Sequence, residues 1–312
     1  MEKNRDEALL KVRSSRVCIA DGYRLYTGNF KKIFRRTWVL ALLYGLICGA
    51  YTSILVGEFP KMLTTVITGQ MMNLKDVGPL LLTIPVLLLL TIIYTWYYSQ
   101  FFTMLSQHRT QGVISAPTRF FSISTDSRIL LHAVVCMVFC LLMDIGIYII
   151  IGGLMVLASL KQSLVAICLC VLLILLTIVL AVPLGYPFMR YLTTRETHFW
   201  KTLKNGYGWG FRHWGMIFTV TFVTIIVCAV FLMVTTLPAN LLFMANIKAH
   251  MGQMMGDPLG MPDYISKLTF VVFSLACFIQ AYIIPSLLFP AYYVAGSIEA
   301  QEKERKIINE KS

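Results

Sequence analysis

The chain has 312 residues, of which 57% are hydrophobic and only 13% are charged, and its formal net charge is +12. Soluble domains carry about 25% charged residues, and the charges here stand in clusters between long apolar runs, so the composition excludes an ordinary soluble protein. The positive charge does not indicate nucleic-acid binding. The basic residues border apolar segments, where anionic lipid headgroups are the nearer partners.

Six apolar runs are each long enough for a membrane helix, which needs about 20 residues. Buried helices of a soluble protein would need polar faces, and these runs have none. We therefore predict an all-α, polytopic integral membrane protein. Its six transmembrane helices are predicted at roughly 38–57, 79–104, 131–156, 163–187, 215–236 and 270–295.

The distribution of Lys and Arg predicts the orientation. The segments on one side of the six spans carry 22 of the 27 basic residues. The positive-inside rule places that side, with both termini, in the cytoplasm. The predicted organisation is a cytoplasmic amphipathic arm over 1–36, a six-helix membrane domain over 37–296 and a cytoplasmic charged tail over 297–312, which we expect to be a solvated extension of the last span.

The arm ends in "RLYTGNFKKIFRRTW", in which aromatic residues recur at four-residue steps among basic ones. A helix with this pattern suits the membrane interface, either as an anchor that orients the first span or as a site for lipid headgroups or a partner. "GFRHW" repeats the pattern before the fifth span. The predicted interface residues are Phe30, Lys31, Lys32, Phe34, Arg35, Arg36, Trp38, Phe211, Arg212 and Trp214.

The third span contains the carboxylate of Asp144 near its middle, within a stripe of its least apolar residues at four-residue steps. A carboxylate at this depth costs about 2.5–3.5 kcal/mol on insertion scales. We therefore expect Asp144 to face the interior of the helix bundle, protonated or paired, for example with Gln280 or Gln100. The stripe consists of His132, Cys136, Cys140, Asp144, Tyr148 and Gly152.

Two function classes remain open. In the first, the protein transports a small solute or ion, and Asp144, His132, Tyr148 and Gln280 form the proton or cation site. In the second, it is a non-transporting scaffold, assembly or envelope-stress factor that binds partners or lipids through the arm. Asp144 would then only form an interhelical hydrogen bond.

Metal or enzyme chemistry has weaker support. The segment over 237–269, predicted as an outer loop or an amphipathic helix on the outer leaflet, holds soft ligands for copper, namely His250, Met251, Met254 and Met255. Their spacing is irregular, and Met also fills apolar gaps, so we predict no cofactor. No catalytic or phosphate-binding motif occurs in the sequence, and an enzyme is not expected.

The motifs "NFKKIFRRTW" and "GFRHW", with the six spans, resemble a broad group of uncharacterised bacterial multipass inner-membrane proteins. More distantly, they resemble the membrane region attached to some glycerophosphodiester phosphodiesterases. The resemblance implies a multipass protein of a bacterial inner membrane. It implies no activity, because the chain lacks the soluble phosphodiesterase domain.

Overall fold

The computed structural model describes residues 9–68, 74–114, 126–161, 164–194, 198–256, 262 and 264–311, and these contain helices and no strand. The α-helices are α1 Ser15–Gly28, α2 Phe30–Thr68, α3 Leu74–Gln111, α4 Ser127–Lys161, α5 Leu164–Ala181, α6 Gly185–Thr193, α7 Phe199–Arg212, α8 Trp214–Met254, α9 Tyr264–Ile283 and α10 Leu288–Lys311. Short 3₁₀ turns join α5 to α6 over Val182–Leu184 and α9 to α10 over Ile284–Leu287.

The prediction of an all-α polytopic membrane protein is confirmed. Six helical segments of the described chain are long and apolar enough to cross a membrane, and each contains or overlaps one predicted span. They are Phe30–Phe59, Thr83–Gln111, Ser127–Gly153, Cys168–Thr193, Trp214–Gln253 and Tyr264–Glu310.

The helix of the fifth predicted span extends beyond residue 236. Helix α8 continues to Met254, so the first half of the predicted outer loop is helical. Pro238 lies inside this helix. Our prediction ended the span where twenty apolar residues were complete, although hydropathy alone gives no stop signal there.

The described chain divides into two compact units. The first comprises Met1–Ile33, Tyr98–Thr224 and Leu287–Ser312, and the second comprises Phe34–Tyr97 and Ile225–Ser286. In the second unit, α2 and α9 approach closely through small residues. A Cβ atom at Gly49 would lie 2.7 Å from the Ser274 Cα, and one at Gly45 would lie 3.0 Å from the Ser274 carbonyl oxygen. Glycine permits this approach.

In the first unit, side-chain contacts join the four segments that the charge pattern assigns to one side of the membrane. Lys32 Nζ donates to the Ile114 carbonyl oxygen at 3.1 Å, and the Arg13 amide donates to Ser297 Oγ at 3.0 Å. Ion pairs from α3 and from the end of α7 reach α10, as described below. These segments therefore lie on one side, and their basic character indicates that this side is the cytoplasm.

The proline-rich end of the fourth span provides a docking surface for α7. Pro183 lies in the 3₁₀ turn that interrupts the span. A Cβ at Gly210 would lie 2.3 Å from the Pro183 carbonyl oxygen, and one at Gly206 would lie 2.8 Å from the Pro187 Cβ. The two glycines and the two prolines share a four-residue spacing, so one face of α7 is fitted to this kinked segment.

We predict that Gly210→Ala destabilises the protein, whereas Gly208→Ala does not. A Cβ at Gly208 has no atom within 4 Å. Alanine is favoured over glycine inside a helix by about 0.5–1 kcal/mol, but overpacking costs about 1–3 kcal/mol. The measurement is the unfolding temperature in detergent. Equal unfolding temperatures for the two variants would contradict the close packing of α7 on Pro183.

Helix α1 buries one stripe, Cys18, Gly22 and Tyr26, at four-residue steps. Tyr26 packs edge-on against Phe289 of α10, with ring centroids 5.0 Å apart. A Cβ at Gly22 would lie 2.5 Å from the backbone nitrogen of Pro290. Burial raises the pKa of the Cys18 thiol to about 11.

We predict slow alkylation of Cys18 by N-ethylmaleimide at pH 8 in a variant whose other cysteines are replaced. With a pKa of about 11, only ~0.1% of the thiol is thiolate at pH 8, and the thiolate is the reactive form. The reaction should accelerate as the pH rises toward 11, and also in Gly22→Leu, which forces α1 away from α10. Native labelling as fast as labelling in denaturant would show that Cys18 is not buried.

Candidate functional site

The expectation that Asp144 faces the interior of this chain is wrong. Asp144 is exposed on α4, and Tyr148, one turn further, is 76% exposed. Residues four apart rotate by about 40° per step around a helix, so the stripe rotates roughly 120° between His132 and Asp144. Its first residues therefore face the protein, and its later ones do not. Gln280 is half-buried in the second unit, whereas Asp144 belongs to the first.

His132 is the member of the stripe that lies in a structured polar environment. Its ring stacks on Tyr191 of α6, with centroids 4.2 Å apart. Its Nδ1 lies 3.2 Å from the Tyr191 carbonyl oxygen. The side chain is buried, with 9% exposed, and it also lines a cavity.

This cavity, of about 1000 Å³, lies among the ends of α3, α4, α6 and α7 on the basic side of the first unit. Ten of its fourteen lining side chains can form hydrogen bonds, which is the lining expected for a polar ligand. The lining residues are Thr103, Ser106, Gln107, Thr110, Gln111, Asp126, Arg128, Ile129, Leu131, His132, Val135, Tyr191, Thr194 and Phe199.

Two charged side chains of opposite sign lie on this lining, at the start of α4. Asp126 Oδ1 accepts a hydrogen bond from the Arg128 amide at 3.1 Å and so caps the helix. Within the described residues its other oxygen has no partner, so a ligand can donate to it. Both side chains are exposed, and they can therefore contact an ammonium group and a phosphate, respectively.

Apolar side chains continue from the cavity along α4 toward the middle of the membrane. Leu131, which lines the cavity, is 62% exposed. Val138 and Leu142 follow at seven and eleven residues further, on the same helical face, and are exposed too. We call Leu131, Val138 and Leu142 the apolar strip. The hydrocarbon chain of a ligand whose polar head occupies the cavity could contact this strip.

The helix end that forms one wall of the cavity is held by an ion pair that the sequence analysis missed. Arg109 Nη2 donates to Glu299 Oε2 at 2.6 Å, and Glu299 is only 5% exposed. Arg190 Nε lies 4.0 Å from the other oxygen of the same carboxylate. On the same helix end, His108 Nδ1 lies 3.1 Å from the Tyr292 hydroxyl.

A second buried carboxylate ties α10 to the junction of α7 and α8. Arg212 Nη1 lies 3.0 and 2.9 Å from the two oxygens of Glu302. His213 Nε2 lies 3.1 Å from Oε1. Glu302 is 4% exposed, whereas the side chains from Lys303 to Glu310 are exposed. The tail is thus helical as predicted, but its first turns are buried rather than solvated.

The predicted interface residues separate into exposed ones and ones held by the protein. The exposed ones are Phe30, Lys31, Phe34 and Phe211. Buried or half-buried are Lys32, Arg35, Arg36, Trp38 and Trp214, and Arg212 is exposed but paired with Glu302. Trp214 Nε1 donates to the Val179 carbonyl oxygen at 3.0 Å. The role of the exposed residues at the lipid interface stays a prediction.

The weak metal candidates lie at the end of α8. His250 is half-buried, and Met251 and Met255 are exposed. The side chain of Met254 lies outside the described residues. Within the described part of the chain, His, Cys, Asp and Glu form no cluster suited to a metal ion.

No protein-family model matches this chain, and neither a curated protein nor a solved structure is significantly similar to it. The fold defines the class of the protein, an all-α, multipass integral membrane protein, because the described residues contain six helices that are long and apolar enough to cross a membrane. The predicted bacterial group, and the inner membrane as location, stay predictions.

We predict that Glu299→Gln lowers the free energy of unfolding in detergent by about 3–5 kcal/mol, because it leaves Arg109 without its buried partner. The matched control is Glu304→Gln on the same helix, where the carboxylate is exposed and the change should be within about 0.5 kcal/mol. Similar effects in both variants would show that the Arg109–Glu299 pair does not hold α3 to α10.

Proposed function

We propose that the protein is a lipid-binding membrane protein of a bacterial inner membrane, whose cavity receives a zwitterionic amine–phosphate headgroup. This proposal belongs to the non-transporting class of function, but it assigns lipid binding to the cavity and not to the arm over 1–36. The observation that carries it is the pair Arg128 and Asp126 on the lining of a polar cavity of about 1000 Å³.

Charge and position favour this ligand over others. A phosphate would accept hydrogen bonds from the Arg128 guanidinium and from the side-chain amide of Gln111, and the ammonium group would contact Asp126. A purely anionic ligand would be repelled by Asp126 and a purely cationic one by Arg128. The amides and hydroxyls of α3 add neutral hydrogen-bonding partners.

The apolar strip favours a lipid over a soluble ligand. The exposed side chains of Leu131, Val138 and Leu142 begin at the cavity and run along α4, as an acyl chain attached to a bound headgroup would. The cavity also lies on the basic side of the first unit, where we expect the headgroups of the inner leaflet.

An ion pair and a hydrogen bond to α10 support the proposal by fixing the cavity wall. Gln107, Thr110 and Gln111 line the cavity on the last turns of α3. Within the same turns, His108 and Arg109 reach Tyr292 and Glu299 of α10. The lining side chains are therefore presented by a helix end that is already fixed, which lowers the ordering cost of binding.

Transport of a small solute or ion through Asp144 stays a prediction from the sequence. Asp144 is nine residues beyond Val135, the last cavity residue on α4, which is roughly 14 Å along the helix axis. The cavity and Asp144 are therefore separate features. Transport would need water to reach Asp144 from at least one side.

The test is a titration of the purified full-length protein with phosphatidylethanolamine by native mass spectrometry, beside diacylglycerol and phosphoethanolamine. We expect phosphatidylethanolamine to bind, and Arg128→Gln and Asp126→Asn each to weaken it about 10- to 100-fold, as expected for lost charge-assisted hydrogen bonds. Asparagine at 126 preserves the helix cap. Arg305→Gln, an exposed position on α10, is the control and should bind normally.

Each other outcome overturns a defined part of the proposal. Equal binding of diacylglycerol, or binding unaffected by the Arg128 and Asp126 variants, would mean that lipid merely coats the helices. Binding of phosphoethanolamine as tight as that of the lipid would assign a soluble ligand to the cavity.

A further inference from the structure

Two thiols are in contact where α2 crosses α9 in the second unit. The Cys277 thiol donates to Cys48 Sγ, and the two sulfur atoms lie 3.0 Å apart. Both residues are free cysteines. A disulfide bond is about 2.0 Å long, so the two sulfur atoms need to approach by only about 1 Å to become bonded.

The glycine packing of this crossing holds the two thiols in contact. Cys48 shares a face of α2 with the two glycines of the crossing, because the three stand at i, i+3 and i+4. On α9, Cys277 shares a face with Ser274 and Phe278 at the same spacing. A Cβ at Gly45 would lie 3.0 Å from the Phe278 Cβ. The two sulfur atoms therefore cannot move far apart unless a helix moves.

The two cysteines differ in their accessibility. Cys277 is only 6% exposed, whereas Cys48 is half-buried. Both stand in helical segments that are long and apolar enough to cross a membrane. A reagent that is dissolved in the bilayer can therefore reach Cys48, and Cys277 is then the thiol that waits behind it.

We propose that Cys48 and Cys277 form a redox-active dithiol that a lipid hydroperoxide converts to a disulfide. Cys48 Sγ attacks the terminal oxygen of the hydroperoxide and breaks the O–O bond. The Cys48 proton leaves with the alkoxide as an alcohol, and Cys48 becomes a sulfenic acid.

Cys277 completes the reaction. Its sulfur attacks the Cys48 sulfur and breaks the S–O bond, and the Cys277 proton leaves with the hydroxide as water. The two thiols thus lose two electrons in total, and the hydroperoxide is reduced to an alcohol and water. The product is a disulfide that joins α2 to α9 at their closest approach.

This site is independent of the headgroup cavity. The cavity belongs to the first unit, whereas both cysteines belong to the second. A disulfide between the first and the sixth span would close most of the membrane domain into one covalent loop. Because such a loop restricts the unfolded chain, oxidation should raise the unfolding temperature.

The experiment treats the purified full-length protein in nanodiscs with cumene hydroperoxide, a membrane-soluble probe. Free thiols are then blocked with N-ethylmaleimide in denaturant, and the protein is digested for mass spectrometry. We expect peptides joined through Cys48 and Cys277 at about tenfold the yield of any other cysteine pair, because disulfide geometry is specific. Dithiothreitol should remove the crosslink and reverse the rise in unfolding temperature.

Single variants test the order of the two steps. Cys277→Ala leaves the Cys48 sulfenic acid without a second thiol, so dimedone should trap it at Cys48. Cys48→Ala should give about tenfold less dimedone adduct at the buried Cys277. The control is Cys228→Ala, which removes another buried thiol of the second unit. Because Cys228 Sγ donates to the Ile283 carbonyl oxygen at 3.3 Å, this variant should form the crosslink normally. Unfolding temperatures of the untreated variants verify folding.

Three results would overturn the proposal, and the first two need only the wild-type protein. Oxidation of the exposed Cys168 while Cys48 and Cys277 both remain free would show that the two thiols do not react as a pair. Crosslinks from Cys48 to several cysteines in similar yield would show that the contact with Cys277 is not maintained. A dimedone adduct of Cys277 in Cys48→Ala, as abundant as that of Cys48 in Cys277→Ala, would refute Cys48 as the thiol that meets the oxidant.

Discussion

The pairing of two buried carboxylates on the last helix holds the basic side of the first unit together. Glu299 and Glu302 stand three residues apart on α10 and reach Arg109 and Arg212 on two other helices. A carboxylate with about 5% exposure is stable only when it is paired and hydrogen-bonded. Each pair therefore fixes the position of a helix end, and the cavity lies beside the end that Glu299 fixes.

Glycine–proline packing adds a different kind of constraint on the same side. The kinked end of the fourth span exposes the carbonyl oxygen of Pro183, and α7 approaches it through Gly210. The fit is steric and requires no charge. Ion pairs fix which helix ends meet, and the absence of side chains on one face of α7 fixes how closely they meet.

The membrane architecture could be predicted from the sequence because the length of an apolar run and the positions of basic residues depend on the bilayer alone. The direction of Asp144 could not be predicted, because a four-residue stripe rotates around the helix and its packed part ends before residue 144.

The pairing of Glu299 and Glu302 was missed because acids within a basic tail also suit a solvated helix. The shared spacing of Gly206 and Gly210 with Pro183 and Pro187 was a usable signal. The cavity depends on contacts between helices that are distant in the sequence, so no local sequence pattern predicts it.

The location of both carboxylates after the sixth span has a consequence for biosynthesis. During translation, the basic side chains of α3 and α7 emerge from the ribosome well before residues 299 and 302. Until α10 has been synthesised, Arg109 and Arg212 lack these carboxylate partners. The two ion pairs therefore form late, and a ribosome that stalls before α10 leaves a protein whose basic side lacks both of them.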